Sequence, residues 1–146
     1  MIRTIDYLNN IIGENKLHRG HATKILDWCI GRYGRSKYIR EYPSIEFRKP
    51  LYSDELDQYG YFDDITNTIY ANRELHKTLK ELAKTIIEEY VHYLQSDREY
   101  QRLAEQYSYS DHPMEKEAKK IADKHYKYCL KDLKKLHRSF SKITPL

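Results

Sequence analysis

The sequence is poor in the residues that cross-link a chain or interrupt its regular structure. Its 146 residues include only two cysteines, five glycines, four prolines and one tryptophan. The cysteines form no C-x-x-C pair, and each lies within an apolar pattern typical of a helix. We therefore expect Cys29 and Cys129 to be reduced, buried thiols, as in a cytoplasmic protein, with a disulfide as the alternative.

Long hydrophobic runs and one-sided charge are also missing. Residues 1–6 lack the basic-then-apolar pattern of a signal peptide, and no apolar run is long enough to span a membrane. With 26 basic and 22 acidic residues interspersed, the net charge of +4 carries no global nucleic-acid signature. The locally basic residues 131–142 are interpreted as a solvated helix end. Neither a membrane nor a nucleic acid is therefore an expected partner.

The chain does contain enough apolar material for one modest core. Apolar residues make up 40% of the sequence and charged residues 33%, a balance above that of disordered chains. Fifteen tyrosines add side chains with a large apolar body and a polar tip. We expect a single domain over residues 1–146, with a thin core edged by half-buried tyrosines.

The N-terminal part, residues 1–40, is predicted to be helical. Thr4 and Gly13 bound a short helix over residues 5–12. An apolar stripe that stops at Gly34 predicts a second helix over residues 18–33. His18 and His21 in this second helix are interpreted as an exposed pair and not as metal ligands.

From residue 43 the pattern becomes that of strands. Residues 43–50 alternate apolar and polar side chains between two prolines, which predicts a short, half-buried strand. Residues 59–63 and 68–72 flank a turn-rich link and predict a hairpin. Residues 43–72 therefore predict a small, mainly antiparallel sheet of three strands, with a fourth strand near Leu51 as an option.

Helices return after the sheet. Residues 75–95 carry apolar side chains at spacings of three, four and seven, which predicts an amphipathic helix. A further helical segment follows a cap at residues 96–99, and Pro113 suits the first turn of a long helix over residues 113–139. Strands grouped together, with helices grouped around them, predict an α+β domain.

The helix over residues 75–95 contains the pattern most closely tied to chemistry. Its residues Glu88-Glu89-Tyr90-Val91-His92 follow the H-E-x-x-H pattern of metallopeptidase helices, with glutamate in place of the first histidine. Glu88 and His92 point the same way because residues four apart share one face of a helix. In the usual pattern the two outer residues bind zinc, and the central glutamate, here Glu89, is the general base that activates a bound water.

A later segment offers a third ligand. Residues 111–118, Asp-His-Pro-Met-Glu-Lys-Glu-Ala, resemble the N-P-x-E-x-E-A segment that follows the active-site helix in gluzincin-type zinc peptidases. The predicted hairpin resembles the one before the motif helix in small SprT-like and ImmA-like domains. This resemblance implies a minimal zincin-like fold in which Glu88, His92 and Glu115 hold zinc and Glu89 is the catalytic base. We further expect a peptide substrate at the edge of the sheet and an oxyanion stabilised by a nearby tyrosine or by His112.

Other interpretations stay open at each of these positions. A site of one histidine and two carboxylates is harder than zinc prefers, so another divalent metal such as manganese, or no metal, is an alternative. Glu88 and His92 could instead interact with each other on a solvated helix face. Glu115 could be present only because the helix dipole favours a carboxylate near a helix N-terminus.

Without a metal, the chain would be a catalytically inactive protein of the same fold. Its partners would be peptides, proteins or further copies of itself, which its many tyrosines could contact. Small peptidase-like domains of this type resemble proteins common in phage genomes. The alternative therefore includes a phage structural or regulatory component, located in the virion instead of the cytoplasm.

Overall fold

The structure is a computed structural model and describes residues 17–137. This part of the chain consists of helices and a small sheet. In chain order the elements are α1 (Arg19–Tyr33), β1 (Ser44–Arg48), β2 (Gly60–Asp63), β3 (Thr68–Asn72), α2 (Leu79–Leu94), α3 (Asp97–Ala104) and α4 (Pro113–Leu136), with short 3-10 helices at Ser53–Glu55 and Tyr109–Asp111. The predicted α+β class is confirmed. The helix predicted over residues 5–12 lies outside the described residues.

Helix α1 begins and ends close to its predicted bounds. The side chain of His18 accepts a hydrogen bond from the Gly20 N–H at 3.0 Å and so caps the first turn. Gly34 follows the last turn with a φ of 77°, which glycine adopts without a side-chain clash. The prediction of an exposed histidine pair is wrong for His21, which is buried because it lies on the core face of the helix.

The sheet has the strand order β1-β3-β2. Strands β2 and β3 form the predicted antiparallel hairpin, with Tyr61 opposite Tyr70. Strand β1 pairs with β3 in parallel, with Ile45 beside Ile69. The sheet is therefore mixed, where the sequence predicted mainly antiparallel pairing. The reason is that residues 49–59 cross over and place β2 on the far side of β3. The option of a fourth strand near Leu51 is not realised, since this stretch leads into the 3-10 helix Ser53–Glu55.

The connection over residues 49–59 is held by the carboxylate of Glu55, which is only 2% exposed. It accepts hydrogen bonds from both terminal nitrogens of Arg48, at 3.0 and 3.1 Å, and from the Leu51 N–H and the Tyr61 hydroxyl. The hydrogen bonds from Arg48 outweigh the effect of burial and lower the pKa of Glu55 to about 2. Arg48 also lies 4.2 Å above the ring of Tyr70, so this cluster covers the sheet face opposite the core.

Helix α2 is the centre of the domain and contacts α1, α4, β2 and β3. A capping box sets its first residue, because the Thr78 side chain accepts the Glu81 N–H at 3.1 Å and the Glu81 carboxylate accepts the Thr78 N–H at 3.0 Å. The helix thus begins at Leu79, four residues later than predicted. Its buried residues are Leu79, Leu82, Ala83, Ile86, Ile87, Glu89, Tyr90, Val91 and Tyr93.

Helix α4 packs along α2 and closes the core. Two of its buried residues, Ala118 and Ala122, are small and belong to the hydrophobic core. Cys29 on α1 and Cys129 on α4 are both buried and free, as predicted. Within residues 17–137, no helix has the combined length and apolar character that crossing a membrane requires.

Candidate functional site

A histidine of α2 and a carboxylate of α4 meet at the open side of the domain. The Nε2 atom of His92 lies 3.0 Å from Oε1 of Glu115, although the two residues are 23 positions apart. Their side chains are 12% and 11% exposed, so the contact is largely shielded from water. Pro113 begins α4 and places Glu115 in its first turn, where the helix dipole favours a carboxylate. Two of the three predicted metal ligands are thereby brought together.

A surrounding set of polar groups holds this pair in place. The second oxygen of Glu115 accepts a hydrogen bond from the Tyr100 hydroxyl, and Tyr109 lines the same part of the cleft and helps to lower the pKa of this carboxyl. On the other side, Nδ1 of His92 lies 2.7 Å from Oε1 of Gln95. The imidazole is therefore oriented with Nε2 toward Glu115, which is how an outer hydrogen bond orients a ligating histidine.

The charges of the pair reinforce each other. Burial alone would lower the pKa of His92, but the hydrogen bond to Glu115 and the charge of Glu89 outweigh it and raise this pKa to about 9. Burial would raise the pKa of Glu115, but hydrogen bonds from His92 and Tyr100 outweigh it and lower that pKa. Both directions favour an imidazolium paired with a carboxylate when no cation is bound.

The predicted catalytic base, Glu89, is 8% exposed and lies between the sheet and the His92–Glu115 pair. Burial raises the pKa of its carboxyl to about 8, with the nearby His92 acting in the opposite direction. The backbone of Phe62 in β2 acts weakly in the same direction as His92 on this pKa. A carboxyl with a pKa near neutrality, set beside a histidine, suits a general acid and base.

The remaining predicted ligand, Glu88, faces a neighbouring part of the cleft beside Lys84 and Lys119. Burial raises the pKa of its carboxyl, while the charges of His92 and Lys119 act to lower it. Over residues 17–137, no three histidine, cysteine or acidic side chains converge as a metal site would require. The structure therefore brings His92 and Glu115 together and leaves Glu88 beside them.

His112, which the sequence suggested as an oxyanion donor, has a different role. It is buried, its Nδ1 accepts the Met114 N–H at 3.1 Å, and its Nε2 lies 3.0 Å from the carbonyl oxygen of Tyr100. Both ring nitrogens are therefore used to cap α4 and to hold α3 beside it. Of the tyrosines, Tyr109 fits the predicted donor best because it is 71% exposed and lines the open cleft next to Glu115.

The cleft consists of two chambers that share a wall formed by Gln58, Gly60, Glu89 and Tyr109. The lysine-lined chamber, with Lys84, Thr85, Glu88 and Lys119, has a volume of about 720 Å³. The aromatic chamber has a volume of about 740 Å³ and contains His92 and Glu115, with Tyr38, Ile39, Phe62 and Tyr100 around them. The candidate chemical groups thus lie on one continuous surface that is accessible from outside.

Strand β2 forms one side of this cleft and is an edge of the sheet. The carbonyl oxygen of Tyr59 accepts the Asn72 N–H at 2.8 Å and so faces β3. Because backbone groups alternate along a strand, those of Gly60 and Phe62 face away from β3, toward the cleft. An unpaired strand edge of this kind can pair with an extended peptide.

Gly60 allows β2 to lie this close to α2. A Cβ atom at Gly60 would be 2.4 Å from the carbonyl oxygen of Tyr70 and 2.8 Å from Cγ2 of Thr85. Thr85 is itself held by His76, whose Nε2 lies 2.8 Å from the Thr85 hydroxyl and whose Nδ1 lies 2.7 Å from the carbonyl oxygen of Asn72. These contacts join the end of β3 to α2 one turn before Glu88 and Glu89.

Sequence reasoning did not identify several residues that shape the site. Gln95 follows His92 by three positions, so helical spacing could have indicated its contact with the imidazole. Tyr100 and Tyr109 have no such signal, because they are two of many tyrosines in a polar stretch. Only the tertiary placement of α3 and of the 3-10 helix Tyr109–Asp111 near the first turn of α4 brings them to Glu115.

No family model, curated protein or solved structure matches this chain significantly. The resemblance to gluzincin-type peptidases therefore stays a prediction from the order and spacing of the sequence motifs.

Proposed function

We propose that the cleft binds an extended peptide segment and hydrolyses it with the help of a divalent cation, in the manner of a metallopeptidase. The observation that supports this proposal most directly is the 3.0 Å contact between His92 and Glu115. Two donors that each bind one zinc ion at about 2.0–2.1 Å in tetrahedral geometry lie about 3.3 Å apart. The pair therefore has nearly the separation that a shared cation needs.

The donor set fits such a cation in part. His92 and Glu115 would hold it, with Glu88 as the third donor once its carboxylate turns toward them from the lysine-lined chamber. One imidazole and two carboxylates make a harder donor set than zinc prefers, which extends the expected range of ions to manganese. A cation bound here would polarise the scissile carbonyl and acidify a bound water.

The residues of the chain account for the other requirements of hydrolysis. The free edge of β2 aligns the substrate backbone along the cleft through Gly60 and Phe62. Glu89 accepts a proton from the attacking water and passes it to the leaving amine. Tyr109 donates a hydrogen bond to the oxygen on which negative charge develops. Tyr100 and Gln95 keep Glu115 and His92 in position.

The test is cleavage of unstructured protein substrates by the purified protein, first stripped of metal and then loaded with zinc or manganese. Mass spectrometry would detect the products. We expect cleavage that depends on the added ion and falls at least 100-fold in Glu89→Gln, the range that general-base catalysis contributes. Glu81→Gln is a matched control, because Glu81 lines the same cleft but belongs to the helix cap. Equal cleavage by wild type and Glu89→Gln would refute the proposal.

A second candidate is a catalytically inactive protein that uses the same cleft to bind peptides. It is favoured by one observation, which is that Glu88 stands outside the His92–Glu115 pair and no three donors converge within residues 17–137. Under this alternative the imidazolium–carboxylate pair is a structural ion pair. Peptide binding that is unchanged by chelators, together with no cleavage under any metal condition, would favour it over hydrolysis.

A further inference from the structure

We propose that the loop formed by residues 34–42 determines which peptides the cleft accepts, and that Tyr38 and Ile39 select an extended segment carrying an apolar side chain. This inference rests on the proposed function for the use of the cleft by peptides, and it names the class of peptide. It does not require that the bound peptide be hydrolysed.

The loop is attached directly to the helix that carries the candidate site. The Tyr93 hydroxyl donates to the carbonyl oxygen of Glu41 at 2.8 Å and accepts the Ser36 N–H at 3.2 Å. The Tyr90 hydroxyl donates to the carbonyl oxygen of Gly34. Both tyrosines are fully buried residues of α2, next to Glu89 and His92 in the sequence. The loop therefore has a defined position relative to the site.

The tip of the loop is held in a turn. The hydroxyl of Ser36, a buried residue, accepts the N–H groups of Tyr38 and Ile39 at 3.0 and 3.3 Å. This local hydrogen bonding replaces regular secondary structure and presents both side chains to the aromatic chamber. Ile39 also packs against the edge of the core, whereas Tyr38 remains 62% exposed. A large aromatic side chain left in water at the rim of a cleft is suited to contact a ligand.

The other walls of the aromatic chamber favour an apolar ligand side chain over an acidic one. Phe62 projects from β2 into this space and is fixed by an edge-on contact with Tyr93, with 5.9 Å between ring centroids. Even without Glu89, the acidic residues in the lining outnumber the basic ones, since Glu115, Asp64 and Asp97 face the chamber with Arg98 and His92. An acidic side chain would be repelled there, while a leucine or phenylalanine would bury apolar surface.

The position of β2 beside the aromatic chamber indicates which ligand the chamber accepts. A peptide paired with the free edge of β2 directs alternate side chains to the face of the sheet on which Phe62 lies. Every second side chain of such a peptide therefore points into the space between Phe62 and the loop of residues 34–42. We assign this position to an apolar side chain, which Tyr38 and Ile39 cover from the opposite side.

The experiment measures binding separately from cleavage. Fluorescein-labelled peptides share one threonine- and glutamine-rich frame and differ at a single central position, which holds leucine, phenylalanine, alanine, aspartate or lysine. Their affinities are measured by fluorescence polarisation with the Glu89→Gln protein, so that no peptide is consumed. We expect the leucine and phenylalanine peptides to bind about tenfold more tightly than the alanine peptide, with the aspartate peptide weakest.

Variants of the loop then test whether Tyr38 and Ile39 cause the preference for an apolar side chain. In Tyr38→Ala and Ile39→Ala the preference for leucine over alanine should fall at least threefold, and Ile39→Glu should make the lysine peptide the best ligand. Tyr42→Ala is the matched control, because Tyr42 is an exposed tyrosine at the end of the same loop that does not line the chamber. Tyr38 is exposed, so Tyr38→Ala keeps the test valid even if the Ile39 variants fold poorly.

The outcomes separate this inference from the proposed function. Equal affinity for all five peptides, no binding of any peptide, or an unchanged preference in Tyr38→Ala overturns the inference. Selective binding without cleavage by the metal-loaded wild type supports the inference and removes hydrolysis. Selective binding with cleavage of the same peptides supports both.

Discussion

His92 and Glu115 are in direct contact across the interface of α2 and α4, with Nε2 of the histidine 3.0 Å from Oε1 of the glutamate. The contact joins the last turn of one helix to the first turn of another. It neutralises two charges at a place where the core of the domain ends. Under the proposed function, the same two side chains would supply two donors to a bound cation.

Replacing Glu115 by glutamine should destabilise the protein. The change removes the negative charge that pairs with His92 and weakens the hydrogen bond from Tyr100, at a largely shielded site. We expect a loss of about 2 kcal/mol in the free energy of unfolding at neutral pH, measured by urea denaturation followed by circular dichroism. Glu117→Gln is the control, because Glu117 is exposed, and it should cost less than about 0.5 kcal/mol. Equal effects of the two variants would show that the His92–Glu115 pair contributes no more than a surface contact.

Under the proposed function, introducing a histidine at position 88 should strengthen zinc binding. Glu88→His places an imidazole four residues before His92, on the same face of α2, and so rebuilds the two-histidine spacing of metallopeptidase helices. We expect zinc affinity to rise at least about tenfold, measured by titration against a competing chelator. Glu88→Ala separates this gain from the loss of the carboxylate and should bind zinc no better than the wild type. An unchanged affinity in Glu88→His would mean that position 88 cannot reach the ion.

Gly60→Ala should destabilise the fold, because its new methyl group would lie 2.4 Å from the carbonyl oxygen of Tyr70. Strand β2 would have to shift away from its neighbour β3, and also from Thr85 of α2, at a cost of about 1–3 kcal/mol in the free energy of unfolding. Gly31→Ala gives the opposite expectation, since nothing lies within 4 Å of its added methyl group and alanine favours a helix by about 0.5–1 kcal/mol. Thermal and urea unfolding of both variants would check the two signs. A neutral Gly60→Ala would show that Gly60 is not in this close contact with the Tyr70 carbonyl oxygen of β3.

The cluster around Glu55 should make stability depend on acid pH. The pKa of this carboxyl is lowered from 4.5 to about 2 in the folded protein, chiefly by its hydrogen bonds from Arg48. As the pH falls, the unfolded chain takes up the proton first, so the stabilisation is complete above about pH 5 and is lost between about pH 4.5 and 2. We expect Glu55→Gln to be about 2–3 kcal/mol less stable than the wild type at pH 7, and the difference to disappear near pH 2.

Urea unfolding at several pH values between 2 and 7 would measure this convergence. Glu46→Gln is the matched control, because Glu46 binds the same arginine at 3.0 Å but has a side chain that is 54% exposed. Its difference from the wild type should be small at every pH, since exposed ion pairs contribute little. Parallel stability curves for the wild type and Glu55→Gln would contradict the assignment of the acid dependence to Glu55.

Local structure was largely predictable from the sequence. The apolar spacing of α1, α2 and α4, the stop at Gly34 and the start at Pro113 depend on neighbours along the chain, and each lies near its predicted position. The hairpin was predictable for the same reason, since alternation and a turn-rich link are local features. The start of α2 was misplaced because a capping box at Thr78 competes with other polar residues nearby.

Pairing between distant segments was less predictable. The parallel pairing of β1 with β3 depends on the path of residues 49–59, and that path depends on a buried carboxylate, Glu55, in a stretch with no apolar period. His112 was one of two options for stabilising an oxyanion, beside a nearby tyrosine, whereas in the structure its two ring nitrogens contact backbone groups. Such partners are visible only after the chain has folded.

The sequence by itself determined which residues were candidates for chemistry, because Glu88, Glu89 and His92 share a helical pattern and Glu115 lies in a segment that resembles a peptidase motif. Only the tertiary structure decided the distances between these side chains and the contacts that each one makes. His92 and Glu115 meet because α4 packs along α2, Glu89 is enclosed because β2 lies against the same helix, and Glu88 faces the neighbouring lysines. Helical periodicity specifies the direction of a side chain about its own axis, whereas the distance between two helices depends on the packing of every residue between them.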